Sequence, residues 1–139
     1  MRIMLDTNIL VSAFVFRSRR FYTVINYIVS YHELVLSSYI VDELKDVIRR
    51  KFPKMTGDLD EFLTALSFTL AFSPQYMPIG LLSTRDAADA PIIYTAIIEG
   101  VDVLITGDKD FDDIDIEKPA IMTITEFENE YMKIDTEGI

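Results

Sequence analysis

The chain has no cysteine, which excludes disulfides, thiolate metal sites and cysteine nucleophiles, and suits a reducing cytosol. Histidine is almost as scarce, with His32 the only one, so a bound cation would meet oxygen donors almost exclusively. Positive charge is also short. Thirteen Lys plus Arg stand against 23 Asp plus Glu, a formal net charge of −10. That balance argues against tight nonspecific nucleic-acid binding, which depends on clustered cations. No apolar run approaches the ~18 to 20 residues needed to cross a bilayer. The opening Met1-Arg2-Ile3-Met4-Leu5-Asp6 meets a charge too early for a signal peptide. The expectation is a soluble, cytoplasmic protein without membrane attachment.

What is present is core material. Half of the 139 residues are hydrophobic, and nine Phe and seven Tyr supply bulk. This is enough for one domain over residues 1–139 with a proper core, and it excludes a disordered or collagen-like chain. The acid excess has two readings. It is either a solvated surface or, in part, a carboxylate cluster that only a cation makes tolerable, and composition does not choose between them.

Short apolar segments alternate with helical patterns. Ile3 to Leu5 reads as a buried strand, and Asp6-Thr7-Asn8 offers capping chemistry for a helix through Ile9, Leu10, Ala13 and Phe14. After the basic break Arg17 to Arg20 comes a helical pattern on Phe21, Val24, Ile25 and Ile28. Leu34 to Ser37 reads as a second strand. Ser37 or Ser38 can cap the next helix, where Ile40, Leu44, Val47 and Ile48 share a face. Pro53 to Gly57 reads as a linker, followed from about Asp58 by a helix with Leu59, Phe62, Leu63 and Leu66 inward. A strand that the pattern does not delimit lies before Phe72. Ser73 to Ser83 reads as loop, Asp89 to Glu99 as a helix stopped by Gly100, and Val103 to Thr106 as the clearest strand. An acidic loop over Asp108 to Glu117, a strand over Ala120 to Thr123 and a helix over Thr125 to Met132 complete the chain. The alternation predicts a single α/β domain, with a mostly parallel sheet of about five strands covered by helices on both faces.

Open parallel sheets bind ligands beyond the carboxyl ends of their strands. Asp6 follows the first strand directly, and Asp108 lies two residues past Thr106. Glu43 lies early in the helix after the second strand, and Asp89 near the start of the helix after the long loop. Four carboxylates so placed could converge on one crevice, where they repel unless some protonate or a cation intervenes. With oxygen ligands alone the natural occupants are Mg²⁺ or Mn²⁺, one or two ions, and zinc fits less well. Such a site can activate water and stabilise the oxyanions of phosphoryl displacement. It needs no side-chain nucleophile, and none stands out.

The stretches MLDTNILVSAF (4–14), LVLSSYIVDEL (34–44), RDAADAPIIYTAI (85–97) and VLITGDKDF (103–111) resemble, in order, the PIN-domain family of ribonucleases. The closing ITEFENEY (124–131) resembles that family's terminal helix. Within the family the likeness is to the VapC-like branch of toxin–antitoxin toxins. The resemblance implies metal-dependent endoribonuclease activity on single-stranded RNA. It carries metal-site roles onto Asp6, Glu43, Asp89 and Asp108, with Asp110 as an outer carboxylate. It also implies that Thr7, Asn8 and Thr106 position the cluster or the substrate. The chain reads Asp86-Ala87-Ala88-Asp89 where the branch more commonly reads Asp-Pro-Asp-Asp, so Asp86 rivals Asp89. An antitoxin partner and a homodimer are further expectations of the family, with the hydrophobic stretch Phe62 to Phe72 a candidate for the latter.

Blander roles compete with each of these. Asp6 and Asp89 could simply cap helices. Glu43 could compensate the helix dipole, and Asp42 competes with it for the site. Asp112 to Asp115 read as a solvated loop, and His32 as a surface residue with no evident partner. Arg17, Arg19 and Arg20, then Arg49, Arg50, Lys51 and Lys54, are candidate RNA contacts, although the second set equally suits helix-end compensation. Tyr22 and Tyr39 could stack on bases. Other functions fit less well. An aspartyl-phosphate phosphotransferase or phosphatase wants Asp-x-Asp after the first strand, where this chain has Asn8. A receiver domain wants an acceptor Asp that Phe72 to Gln75 does not supply. A catalytically inactive RNA- or protein-binding module finds no support while all four acidic positions are filled.

Overall fold

A computed structural model describes residues 1–74, 90–107 and 117–132. Five strands, β1 (Arg2–Leu5), β2 (Glu33–Ser37), β3 (Thr69–Ala71), β4 (Val103–Ile105) and β5 (Ala120–Met122), form one sheet in the order β3-β2-β1-β4-β5. Every neighbouring pair is parallel. The apolar runs of the central strands, Ile3 to Leu5, Leu34 to Leu36 and Val103 to Ile105, are buried, as expected of a parallel sheet covered on both faces. The edge strand β3 leaves Thr69 and Leu70 exposed.

Among the described residues six α-helices accompany the sheet: α1 (Thr7–Phe14), α2 (Arg19–Tyr31), α3 (Ser38–Lys51), α4 (Thr56–Ala65), α5 (Ala90–Ile98) and α6 (Ile124–Phe127). Chain order runs outward from β1 to β3, then returns past β1 to β4. With right-handed crossovers this return assigns α5 to the face opposite α1 to α4. It also makes the gap between β1 and β4 the topological switch point, where such sheets bind ligands.

Local chemistry fixes most helix ends. Ser18, Ser37 and Thr123 each accept a hydrogen bond from the third backbone N–H of the helix that follows. Thr123 and Glu126 complete a reciprocal capping box. At the end of α5, Gly100 adopts φ +64°, while its N–H and that of Val101 bond to Ile97 and Ala96 carbonyls. This is the Schellman arrangement that a glycine permits.

Three boundaries differ from the sequence reading. Arg19 and Arg20 already belong to α2, because Ser18 caps it. The expected linker Pro53 to Gly57 is instead a 3₁₀ turn, Pro53–Met55, running straight into α4. Proline suits the first helical position, where its missing N–H has no partner to lose. The last helix starts earlier than expected, at Ile124, and passes into a π-helical turn, Glu128–Met132.

Candidate metal centre

The backbone brings Asp6 and Thr106 side by side at the switch point. Asp6 N–H donates to the Ile105 carbonyl at 3.0 Å, and Thr106 N–H to the Met122 carbonyl at 2.9 Å. Each therefore extends the ladder one residue beyond its strand. Both side chains are buried. One Asp6 carboxylate oxygen, Oδ1, accepts the Thr7 N–H at 2.7 Å, and the other, Oδ2, accepts the Thr106 hydroxyl at 2.8 Å.

Asp6 is not acting as an ordinary cap. A capping side chain normally reaches the second or third N–H of its helix, as Ser18, Ser37 and Thr123 do here. The Asp6 carboxylate instead takes only the first N–H of α1 and turns across the sheet to Thr106. Beside it the Thr7 hydroxyl is buried with no hydrogen-bond partner among the described residues. A buried hydroxyl left so costs about 1–3 kcal/mol. An oriented carboxylate next to an unsatisfied hydroxyl suits an oxygen-loving cation with its water shell, or a phosphate, at this spot.

Glu43 lies in the second turn of α3 and is half-buried, whereas Asp42 is exposed. Asp42 lines a polar cavity of about 350 Å³ between α3 and α4, with Lys45, Asp46, Arg49 and Asp60. Glu43 does not line it, and it makes no hydrogen bond or ion pair among the described residues. The two neighbours thus face different surroundings. Asp86, Asp89, Asp108 and Asp110 lie outside the described residues. In the chain Asp89 immediately precedes Ala90, the first residue of α5, and Asp108 follows Gly107. Among the described residues no three His, Asp or Glu side chains gather at one point.

The basic residues divide. Arg20 binds Glu128 at 2.5 Å and the Thr125 hydroxyl at 2.6 Å, tying α2 to α6. The Glu128 hydrogen bond also holds the Arg20 guanidinium above its ordinary pKa. Arg49 and Arg50 both engage Asp46, at 2.7 and 2.9 Å. The Arg49 hydrogen bond, with Arg50 beside it, keeps the Asp46 carboxyl below the usual range. Arg17, Arg19, Lys51 and Lys54 are exposed and carry no ion pair among the described residues. Tyr22 packs edge-on against Phe62. Together with Phe14, Arg17 and Met55 it lines an open groove of about 540 Å³ at the far end of α1 from Asp6. Tyr39 is half-buried. His32 does have partners. Its Nδ1 lies 3.2 Å from the chain's amino terminus and its ring packs on Tyr27. Burial, and secondarily the terminal charge, lowers its pKa.

Fold and site together define an α/β protein with a buried carboxylate, Asp6, at the switch point of its parallel sheet. The PIN domain family model matches residues 2–110. The chain belongs to the PIN domain family. Among solved structures it is similar to a chain of VapBC2 from Rickettsia felis, crystallised bound to a DNA fragment from the promoter. The TM-score is 0.66 with 19% identity, over 88% of this chain and 97% of that one. A chain of DNA-bound VapBC from Salmonella typhimurium gives a TM-score of 0.65 and 17% identity, over 89% and 98%. Comparison with the curated proteins gives no match. No helix among the described residues is long and apolar enough to cross a membrane.

Proposed function

We propose that the chain is a divalent-metal-dependent endoribonuclease that hydrolyses phosphodiester bonds in single-stranded RNA. Asp6, Glu43, Asp89 and Asp108 are its inner acids, and Asp110 and Asp86 its outer ones. The observation that carries the reading is the Asp6 carboxylate, buried at the switch point and turned from its capping position towards Thr106. With oxygen donors alone, Mg²⁺ or Mn²⁺ is the fitting cofactor, as one or two ions. Such an ion supplies an activated water and charge neutralisation on the phosphoryl oxygens. The chain's own residues do the positioning. Thr7 N–H and the Thr106 hydroxyl hold the Asp6 oxygens in place. The Thr7 hydroxyl, unpartnered among the described residues, would with Asn8 beside it be available to a phosphate oxygen or an ordered water. Arg17, Arg19, Lys51 and Lys54 are the cations left to meet the RNA backbone.

The biological setting we propose is the toxin half of a toxin–antitoxin pair, acting in the cytoplasm, homodimeric, and restrained by a protein antitoxin. Two VapBC complexes among the structural neighbours support that partner.

Purified protein should cleave single-stranded RNA with Mn²⁺ or Mg²⁺ and lose that activity in EDTA. Asp6→Asn retains an acceptor for the Thr7 N–H, so it should fold normally yet cleave at least about 100-fold more slowly. Asp108→Asn should behave likewise. Cleavage that persists in EDTA, or in both variants, would sink the mechanism. RNA binding without any cleavage would favour a binding module instead.

A further inference from the structure

Three hydroxyls join elements that the chain keeps far apart. Ser73 lies just beyond the carboxyl end of β3, and its N–H donates to Ser38 Oγ at 2.8 Å. Its own Oγ accepts the Tyr39 N–H at 3.4 Å and lies 3.0 Å from Thr95 Oγ1. Thr95 Oγ1 is also 2.8 Å from the Pro91 carbonyl. A carbonyl can only accept, so the single Thr95 proton goes to Pro91 and the Ser73 hydroxyl supplies the proton of the shared bond. The result is one directional relay: Tyr39 N–H to Ser73, Ser73 O–H to Thr95, Thr95 O–H to Pro91. It joins the first turn of α3 to Thr95 in the second turn of α5, and within α5 it continues to the Pro91 carbonyl. Thr95 is buried, so water does not readily replace its bonds, and each link polarises the next.

Both helices joined in this way lead to proposed acids. Glu43 rides on α3 one turn beyond Tyr39, and Asp89 immediately precedes α5 in the chain. We infer that Ser73 is a positioning residue of the metal centre, locking the first turn of α3, the Glu43 helix, to α5 at Thr95 in its second turn. It touches no metal itself. Its role is to fix the spacing between two limbs of the acid rim, as outer hydrogen-bond partners do at other metal sites. The inference rests on the metal-dependent reading above.

The test measures Mn²⁺ affinity directly, by electron paramagnetic resonance of free Mn²⁺, and through the metal-induced rise in Tm. Ser73→Ala and Thr95→Val break the relay from opposite sides, so one remains informative if the other fails to fold. Each should weaken Mn²⁺ binding about tenfold. At a metal concentration near 100 times the wild-type Kd, that should roughly halve the metal-induced rise in Tm. Ser73→Thr, which keeps the hydroxyl, should restore affinity. Ser18→Ala removes a similar helix cap elsewhere and should leave affinity unchanged. Wild-type affinity in both relay variants would overturn the inference while leaving the metal site intact. An equal loss in Ser18→Ala would overturn it by showing a general effect of destabilisation. Absence of Mn²⁺ binding by the wild type would overturn the metal-dependent reading itself, and this inference with it.

Discussion

Replacing Thr106 by valine removes one hydroxyl from the buried pair at the switch point and changes little else in shape. The backbone bond from Thr106 to Met122 is untouched, so β5 stays paired. What disappears is the 2.8 Å bond to Asp6 Oδ2. Hydrogen bonds to a charged partner contribute about 1.5–3 kcal/mol net, and burial of both residues favours the upper half of that range. For a chain of this size, roughly 3 °C of Tm accompanies each kcal/mol, so Thr106→Val should melt about 7–9 °C below wild type. Thr106→Ser keeps the donor and gives up only a methyl group, so it should recover most of the loss. Activity should separate the variants further, because a carboxylate released from Thr106 no longer holds its rotamer for a ligand. Thr106→Val should lose kcat at saturating metal, whereas Thr106→Ser should keep it. The assays are urea and thermal unfolding without metal, alongside RNA cleavage with it. A Thr106→Val protein as stable as wild type would refute the reasoning. So would a Thr106→Ser protein as impaired as the valine variant.

Two further outcomes follow from the scaffold. Gly100→Ala meets no steric obstacle at Cβ, so its cost is the positive φ alone, about 1 kcal/mol; Gly100→Asn should cost about half that, and equal stability of all three proteins by denaturant midpoint would contradict the cap. Asp102 accepts from Lys118 Nζ and the Arg2 N–H, both at 2.8 Å, and the Lys118 bond, then the Arg2 bond, lowers its pKa. A carboxyl depressed in the folded state contributes stability fully above its unfolded pKa of about 3.9 and loses it as pH falls through the folded value. Asp102→Asn should therefore flatten part of the acid limb of a stability–pH curve, and an unchanged limb would count against the bridge.

The sheet was legible because the central strands are unbroken apolar segments, and β1 and β2 run directly into a capping residue. Ile3 to Asp6 and Leu34 to Ser37 announce both a strand and the turn that ends it. The same adjacency places Asp6 at the rim from the sequence alone. β3 was not legible, since three residues with two exposed carry no period. Pro53 and Gly57 read as a linker because both disfavour helix interiors. Here they occupy a 3₁₀ turn and the first turn of α4, where that penalty is smallest. The start of α6 could have been read from Thr123-x-x-Glu126, a capping-box spacing. The Ser73 relay could not. Its bonds span sequence separations of 34 and 22 residues, and lone hydroxyls leave no pattern that a linear reading detects.

Charge gives the proposed site its last constraint. Seven basic residues offered themselves to RNA in the sequence, and the structure engages Arg20, Arg49 and Arg50 in ion pairs. Exposed pairs of this kind contribute little stability, yet they take three cations out of the field an approaching phosphate would meet. With a net charge of −10, long-range attraction is absent, although screening confines the repulsion to about 8 Å at physiological salt. Close to the rim, on the proposed reading, the sign of the field would depend on whether the four acids are bare or neutralised. A bare cluster of carboxylates repels a phosphodiester at the point where it must bind. On the proposed reading the cation at Asp6 is therefore as much the means of admitting RNA as of cleaving it. On that reading, a protein with so few unpaired cations among its candidate contacts would still act on a polyanion.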